Sequence, residues 1–175
     1  MRRRGPLALG ALVVAAASVA LFVATASDAA PRPDVRGLAP ADAKAVLAST
    51  GWTRLGKPPR AALRGLGAAH PGSKKVVVSE TRAQLTRNGR QAYPYPRGTV
   101  VVKTGTTGSV VTLIAIMRKV RAANPQNGGW SFHEYTRSSA AEAFQRTSFP
   151  EAGCADCHAN AARTQRTDWV FYSLR

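Results

Sequence analysis

Acidic residues are scarce in this chain: 9 Asp+Glu stand against 25 Lys+Arg, a formal charge of +16 over 175 residues. Cysteine is scarcer still. The two present lie near the C-terminus and are too few for a disulfide-framework fold. There are only three histidines, which limits the metal sites that could be built. No internal repeat or low-complexity segment occurs, and no run of five or more basic residues. That last absence, with the export layout described below, weighs against nucleic-acid binding. The positive charge reads instead as a solvated surface able to attract acidic redox partners or anionic lipid. What is plentiful is apolar material, 45% of residues, so the chain can bury a core. Its length suits one domain.

Met1-Arg2-Arg3-Arg4 leads into an uncharged apolar stretch from Pro6 to Ala24, followed by the small-x-small site Ala24-Thr25-Ala26. That order is the layout of a secretory signal peptide over residues 1–26. The rival is an uncleaved N-terminal anchor, since Pro6 to Ala24 approaches a membrane-spanning length. Its Ala and Gly content partitions weakly into lipid and favours cleavage. Loss of residues 1–26 removes three arginines and no acid, which lowers +16 to +13. Either way the folded part is expected to be extracytoplasmic, periplasmic in a cell with two membranes.

Residues 27–37, with Pro31 and Pro33, read as a linker, and residues 38–175 as a single domain. Pro40 to Ser49 predicts a short helix: Pro40 suits the first turn, Ala43, Val46 and Leu47 form a stripe, and Gly51 ends it. Four glycines and three prolines make residues 56–73 irregular. Strands are expected at Lys75–Ser79, Thr99–Lys103, Val110–Arg118 and Trp130–Tyr135, with Val110–Arg118 apolar on both faces. Ser79 is expected to cap a helix from Glu80 to Arg87 that closes at Asn88-Gly89. Gly105 and Gly108 bracket a turn, Ala140–Arg146 and Cys154–Arg163 read as helical, and Trp169–Tyr172 as extended. The fold class is therefore α+β, mainly an antiparallel sheet with a few flanking helices.

The chemistry concentrates in Cys154-Ala155-Asp156-Cys157-His158. C-x-x-C-H is the attachment signature of c-type haem. Two thiols on one helical turn can both reach the vinyl groups as thioethers, and the adjacent His158 can take the iron from the proximal side. The bland readings are weaker. A Cys154–Cys157 disulfide closes a tiny loop and stabilises little. A thioredoxin-like pair needs a strand running straight into the helix, whereas Phe149-Pro150-Glu151-Ala152-Gly153 precedes this one. A zinc site has only His70 and His133 left to recruit. Met117, His133 and, behind them, His70 are the candidates for a sixth iron ligand, which would make a low-spin electron carrier. But Met117 sits in an apolar strand where core filling is the common role, and His133 has a surface or hydrogen-bonded role as its default. An open sixth position, and so ligand binding or catalysis, is the preferred reading.

Over residues 74–175 the chain resembles the cytochrome P-460 family, which includes the cytochromes c′-β. The resemblance is carried by Tyr95-Pro96-Arg97-Gly98-Thr99-Val100-Val101-Val102-Lys103, Ile116-Met117-Arg118-Lys119, Gly128-Gly129-Trp130-Ser131-Phe132, Cys154–His158 and Thr167-Asp168-Trp169-Val170-Phe171. It implies a mostly antiparallel β fold, commonly a homodimer, holding one high-spin haem. It further implies that Lys103, at the end of its strand, is bonded to the haem ring. A lysine desolvated beside the ring has a lowered pKa and a nucleophilic amine, and strand alternation places Lys103 with Val101 and Thr99. Without the resemblance, a lysine snorkelling to solvent is the plainer reading.

Enzymes of that family oxidise hydroxylamine and pass electrons to a soluble cytochrome, assisted by a carboxylate on the long strand after the lysine. Val110 to Met117 holds no acid. Glu134 or Glu80 could substitute, though neither matches that position. An apolar distal pocket suits the c′-β relatives, which bind nitric oxide or carbon monoxide. The expectation is thus an exported mono-haem c-type cytochrome that oxidises hydroxylamine or nitric oxide. The alternative is a gas-binding protein without turnover.

Overall fold

The computed structural model describes residues 32–56, 70, 72–121, 126–148 and 150–174. The signal-peptide segment, and most of the irregular stretch at 56–73, lie outside the described residues. The unit Arg32–Arg175 is built on a six-stranded sheet, antiparallel at each pairing, in the order β1-β2-β5-β6-β7-β8. Its long strands are β2 (Ser73–Val78), β5 (Val100–Thr107), β6 (Val110–Lys119) and β7 (Trp130–Thr136), edged by the two-residue β1 (Thr53–Arg54) and β8 (Gln145–Arg146). Helices α1 (Pro40–Ala48), α2 (Arg82–Leu85) and α3 (Glu151–Gln165) flank it, and β3 (Thr86–Arg87) and β4 (Arg90–Gln91) form a separate hairpin. Among the described residues, no helix is long and apolar enough to cross a membrane. The mainly antiparallel α+β architecture is the expected one.

Period-2 alternation splits the sheet's side chains into two cores. Val76, Val78, Val101, Met117, Trp130 and Phe132 face one way, toward Ala155 of α3 and Val170. Val77, Val102, Ile114, Ile116 and Tyr135 face the other, toward Ala45 and Val46 of α1 and Phe144. β6 contributes to both faces, as its apolar run predicts.

Several local readings need correction. The helix after β2 is one turn long and capped by Thr81, not Ser79: Thr81 and Gln84 form a reciprocal capping box. Asn88-Gly89 does not end that helix. With φ of 52° and 72° the two residues make the left-handed turn that a tight β3–β4 hairpin requires. Gly105 lies inside β5 at a register shift, and so the turn is confined to Gly108 and its neighbours. Ala140–Arg146 is not helical. The guanidinium of Arg36 donates to the carbonyls of Ala140 and Ala141 at 2.7 and 3.2 Å, and the Phe144 amide donates to the Arg36 carbonyl, so groups a helix would use are taken elsewhere. Gly37 permits this crossing, since a Cβ there would lie 2.0 Å from the Phe144 carbonyl oxygen. Residues 32–37, within the stretch read as linker, are thereby tied to the sheet, and Val35 packs on the second core.

Candidate functional site

The first core opens into a cavity of about 450 Å3 between the sheet and α3. α3 starts behind Pro150, and Glu151 in its first turn accepts the Phe132 amide at 3.0 Å, which pins the helix to β7. From that anchor Cys154, Cys157 and His158 fall at i, i+3 and i+4, one helical face, and all three line the cavity. Both cysteines are free thiols, their pKa values raised chiefly by burial.

His158 is oriented before any ligand arrives. Its Nδ1 donates to the Trp169 carbonyl at 2.6 Å, which leaves the lone pair on Nε2. Phe132 and Phe171 hold the ring from two sides, at centroid distances of 5.2 and 5.1 Å. Burial pushes its pKa down to about 4, against the carbonyl hydrogen bond, so the imidazole is neutral at neutral pH. A neutral, oriented imidazole beside two thiols in a largely apolar cavity fits haem: thiols for thioethers, a nitrogen lone pair for iron, and apolar walls for the ring. The carbonyl comes from a turn, not from the extended segment expected at Trp169–Tyr172. Trp169 has φ +68°, and the Val170 amide closes on the Thr167 carbonyl at 2.8 Å.

Opposite α3, strand register lays out a row of side chains. Val76 pairs with Lys103, Lys103 with Ala115, and Ala115 with Glu134. All four line the cavity. Lys103 is partly buried, and burial, with a smaller push from Lys74, lowers its pKa to about 8. Glu134 is the acid that the sequence reading weighed but could not place. It shares the face of Trp130 and Phe132, and alternation along β7 is the signal that finds it. Glu80, by contrast, accepts from Ser79 at 2.8 Å and is not among the lining residues.

The three candidates for a sixth ligand separate. Met117 is packed in the first core at the cavity wall. His70 lines the cavity with Nδ1 3.2 Å from Glu134 Oε2, outside hydrogen-bonding geometry. His133 also borders the cavity, yet its Nδ1 is engaged by Asp42 of α1 at 2.6 Å. Sequence reasoning missed Asp42, which is 1% exposed and accepts from Tyr135 and Arg118 as well, at 2.6 and 2.7 Å.

No curated protein matches the chain. A family model described as Cytochrome P460 matches residues 59–172, well over half its length. That span takes in the Lys103–Ala115–Glu134 row, the Cys154–His158 turn and the Trp169 carbonyl, so that the cavity and the family match concern the same residues. The chain belongs to the cytochrome P460 family of haem cytochromes.

Proposed function

We propose that this is an exported c-type cytochrome with one haem, bonded through Cys154 and Cys157 and ligated by His158. Its activity in this reading is oxidation of a small nitrogen-oxide substrate, hydroxylamine first, with electrons passing to a soluble cytochrome. One observation carries it: Lys103 and Glu134 stand in a single cross-strand row of an otherwise mostly apolar cavity that also holds His158. Haem bound there would supply a redox-active iron for the substrate.

Each electron removed from hydroxylamine is matched by a proton, and Glu134 is the carboxylate in the cavity placed to accept it. His70, in contact with that carboxylate, offers the next acceptor. Val101, Met117 and Phe132 keep the cavity apolar around these groups. Lys103, with its pKa near 8, presents a substantial fraction of neutral amine in mildly alkaline solution and is the candidate for bonding to the ring. Replacing one N–H and one ring C–H by an N–C bond releases two protons and two electrons. The step therefore needs a two-electron oxidant such as a peroxide. The basic surface suits an acidic redox partner. A homodimer is proposed as the solution state.

The apolar remainder of the lining favours a second reading, a nitric-oxide-binding protein without turnover. The absorption spectrum of the anaerobically reduced holoprotein, with a hydroxylamine oxidation assay, decides. A strongly red-shifted Soret band with turnover supports the first reading. An ordinary five-coordinate high-spin spectrum, nitric-oxide binding and no turnover would replace it by the second.

A further inference from the structure

Lys119, at the end of β6, is 3% exposed, and its ammonium has all three donors spent: Asp168 Oδ1 at 2.9 Å, Asp168 Oδ2 at 3.0 Å and the Gly128 carbonyl at 2.6 Å. It also lies 5.0 Å above the Trp130 ring. Asp168 is held from every side. Its Oδ2 accepts the Tyr95 amide at 2.7 Å, and its own carbonyl accepts Trp130 Nε1 at 3.0 Å. The next residue is Trp169, whose carbonyl takes Nδ1–H of His158. Trp169 sits at φ +68°, where a bulky residue is found only when its surroundings hold it. Its indole lies against Gly128, so close that a Cβ on Gly128 would fall 2.3 Å from the ring.

We infer that the buried Lys119–Asp168 pair is a positioning device for His158. It fixes the Asp168–Trp169 turn so that the Trp169 carbonyl meets Nδ1, and thereby sets the ring plane and donor strength of Nε2 toward iron. This rests on the reading in which His158 holds the iron. Nothing else about a buried ion pair requires such placement, because an apolar pair of similar volume often stabilises a core equally well. A hydrogen bond from Nδ1–H to an acceptor raises the basicity of the liganding nitrogen, so its loss weakens electron donation to the metal.

The experiment compares ferrous holoproteins by resonance Raman spectroscopy, reading the iron–histidine stretch, and by redox titration. In the double variant K119M/D168L, which leaves neither charge buried alone, the band is expected to fall to lower wavenumber or split, and the midpoint potential to rise. Asp168→Asn, which keeps the shape and one acceptor oxygen, is expected to move both in the same direction by less. Asp42→Asn, which loosens the opposite face, should leave the band in place. An unmoved band and potential in folded K119M/D168L, or an equal shift in Asp42→Asn, would overturn the inference. If His158 is not the ligand, His158→Ala leaves the haem spectrum and any iron–histidine band unchanged, a failure distinct from that of the clamp.

Discussion

Lys103 and Glu134 lie two strands apart in one cross-strand row, with only Ala115 between them. Two strand spacings amount to about 10 Å, and the methyl group of Ala115 leaves the space above it open to both long side chains. Glu134 acts on Lys103 electrostatically, opposing the burial that lowers its pKa. The cavity therefore holds an amine and a carboxylate facing the same space, the pairing that an apolar gas pocket lacks.

Replacing Glu134 by Gln should separate proton transfer from haem chemistry. The haem spectrum should stay as in the wild type. The turnover number for hydroxylamine should fall by about 10²- to 10⁴-fold, the usual worth of a positioned general base. His70→Ala should cost less, since His70 reaches the cavity reaction through Glu134. Steady-state kinetics of both variants check this, and an undiminished rate in Glu134→Gln would assign the proton to another group.

Lys103→Ala should abolish any red-shifted Soret band. Lys103→Met should also reveal the burial penalty in the haem-free chain. The folded pKa of about 8 lies below the ordinary lysine value of 10.5, so between those values the unfolded chain binds more protons and stability rises with pH. Below pH 8 the penalty is fully present, at most about 3 kcal/mol, and the apolar variant should be more stable by up to that amount. Denaturant titrations at pH 7 and pH 10 should show the difference shrinking toward the higher pH.

The helical placement of Cys154, Cys157 and His158 was legible because its information is local: three residues at helical spacing behind Pro150. The long strands were legible for the same reason, each being an apolar run between turn residues. What escaped depends on partners far along the chain. Ala140 to Phe144 has helix-forming composition, but Arg36, over a hundred residues earlier, takes two of its carbonyls. The turn at Trp169 follows Asp168, whose carboxylate is held by Lys119, 49 residues earlier. The cavity role of Glu134 needed the register of two strand pairings, which no single segment contains.

Cys157→Ser should prevent recovery of stable holoprotein, and Cys154→Ser should leave at most a single attachment. Both thiols line the same cavity as His158, so either change leaves that histidine available to bind haem reversibly. Haem staining after denaturing electrophoresis distinguishes covalent from reversible retention. Full covalent haem in Cys157→Ser would refute thioether attachment through this turn.

Asp42 should matter for stability rather than for the spectrum. Burial raises its pKa, but hydrogen bonds from Tyr135, Arg118 and His133 outweigh that and leave it below the ordinary carboxylate value. A depressed folded pKa adds stability above the unfolded value of 3.8, and that stability is lost as pH falls through the folded one. Asp42→Asn keeps the shape but removes the charge that holds Arg118, itself a quarter exposed. A cost of about 2 to 4 kcal/mol is expected, toward the lower end because Arg118 can recover water. The helix α1 would loosen from the sheet face opposite the cavity, while His158, Lys103 and Glu134 keep their surroundings. Thermal melts from pH 7 down to pH 3 should show wild-type stability converging on that of the variant in acid. A variant that loses its stability in parallel with the wild type would mean that another carboxylate controls the acid limb. Asp34, bonded to Arg36 and Arg137, would then be the next to replace.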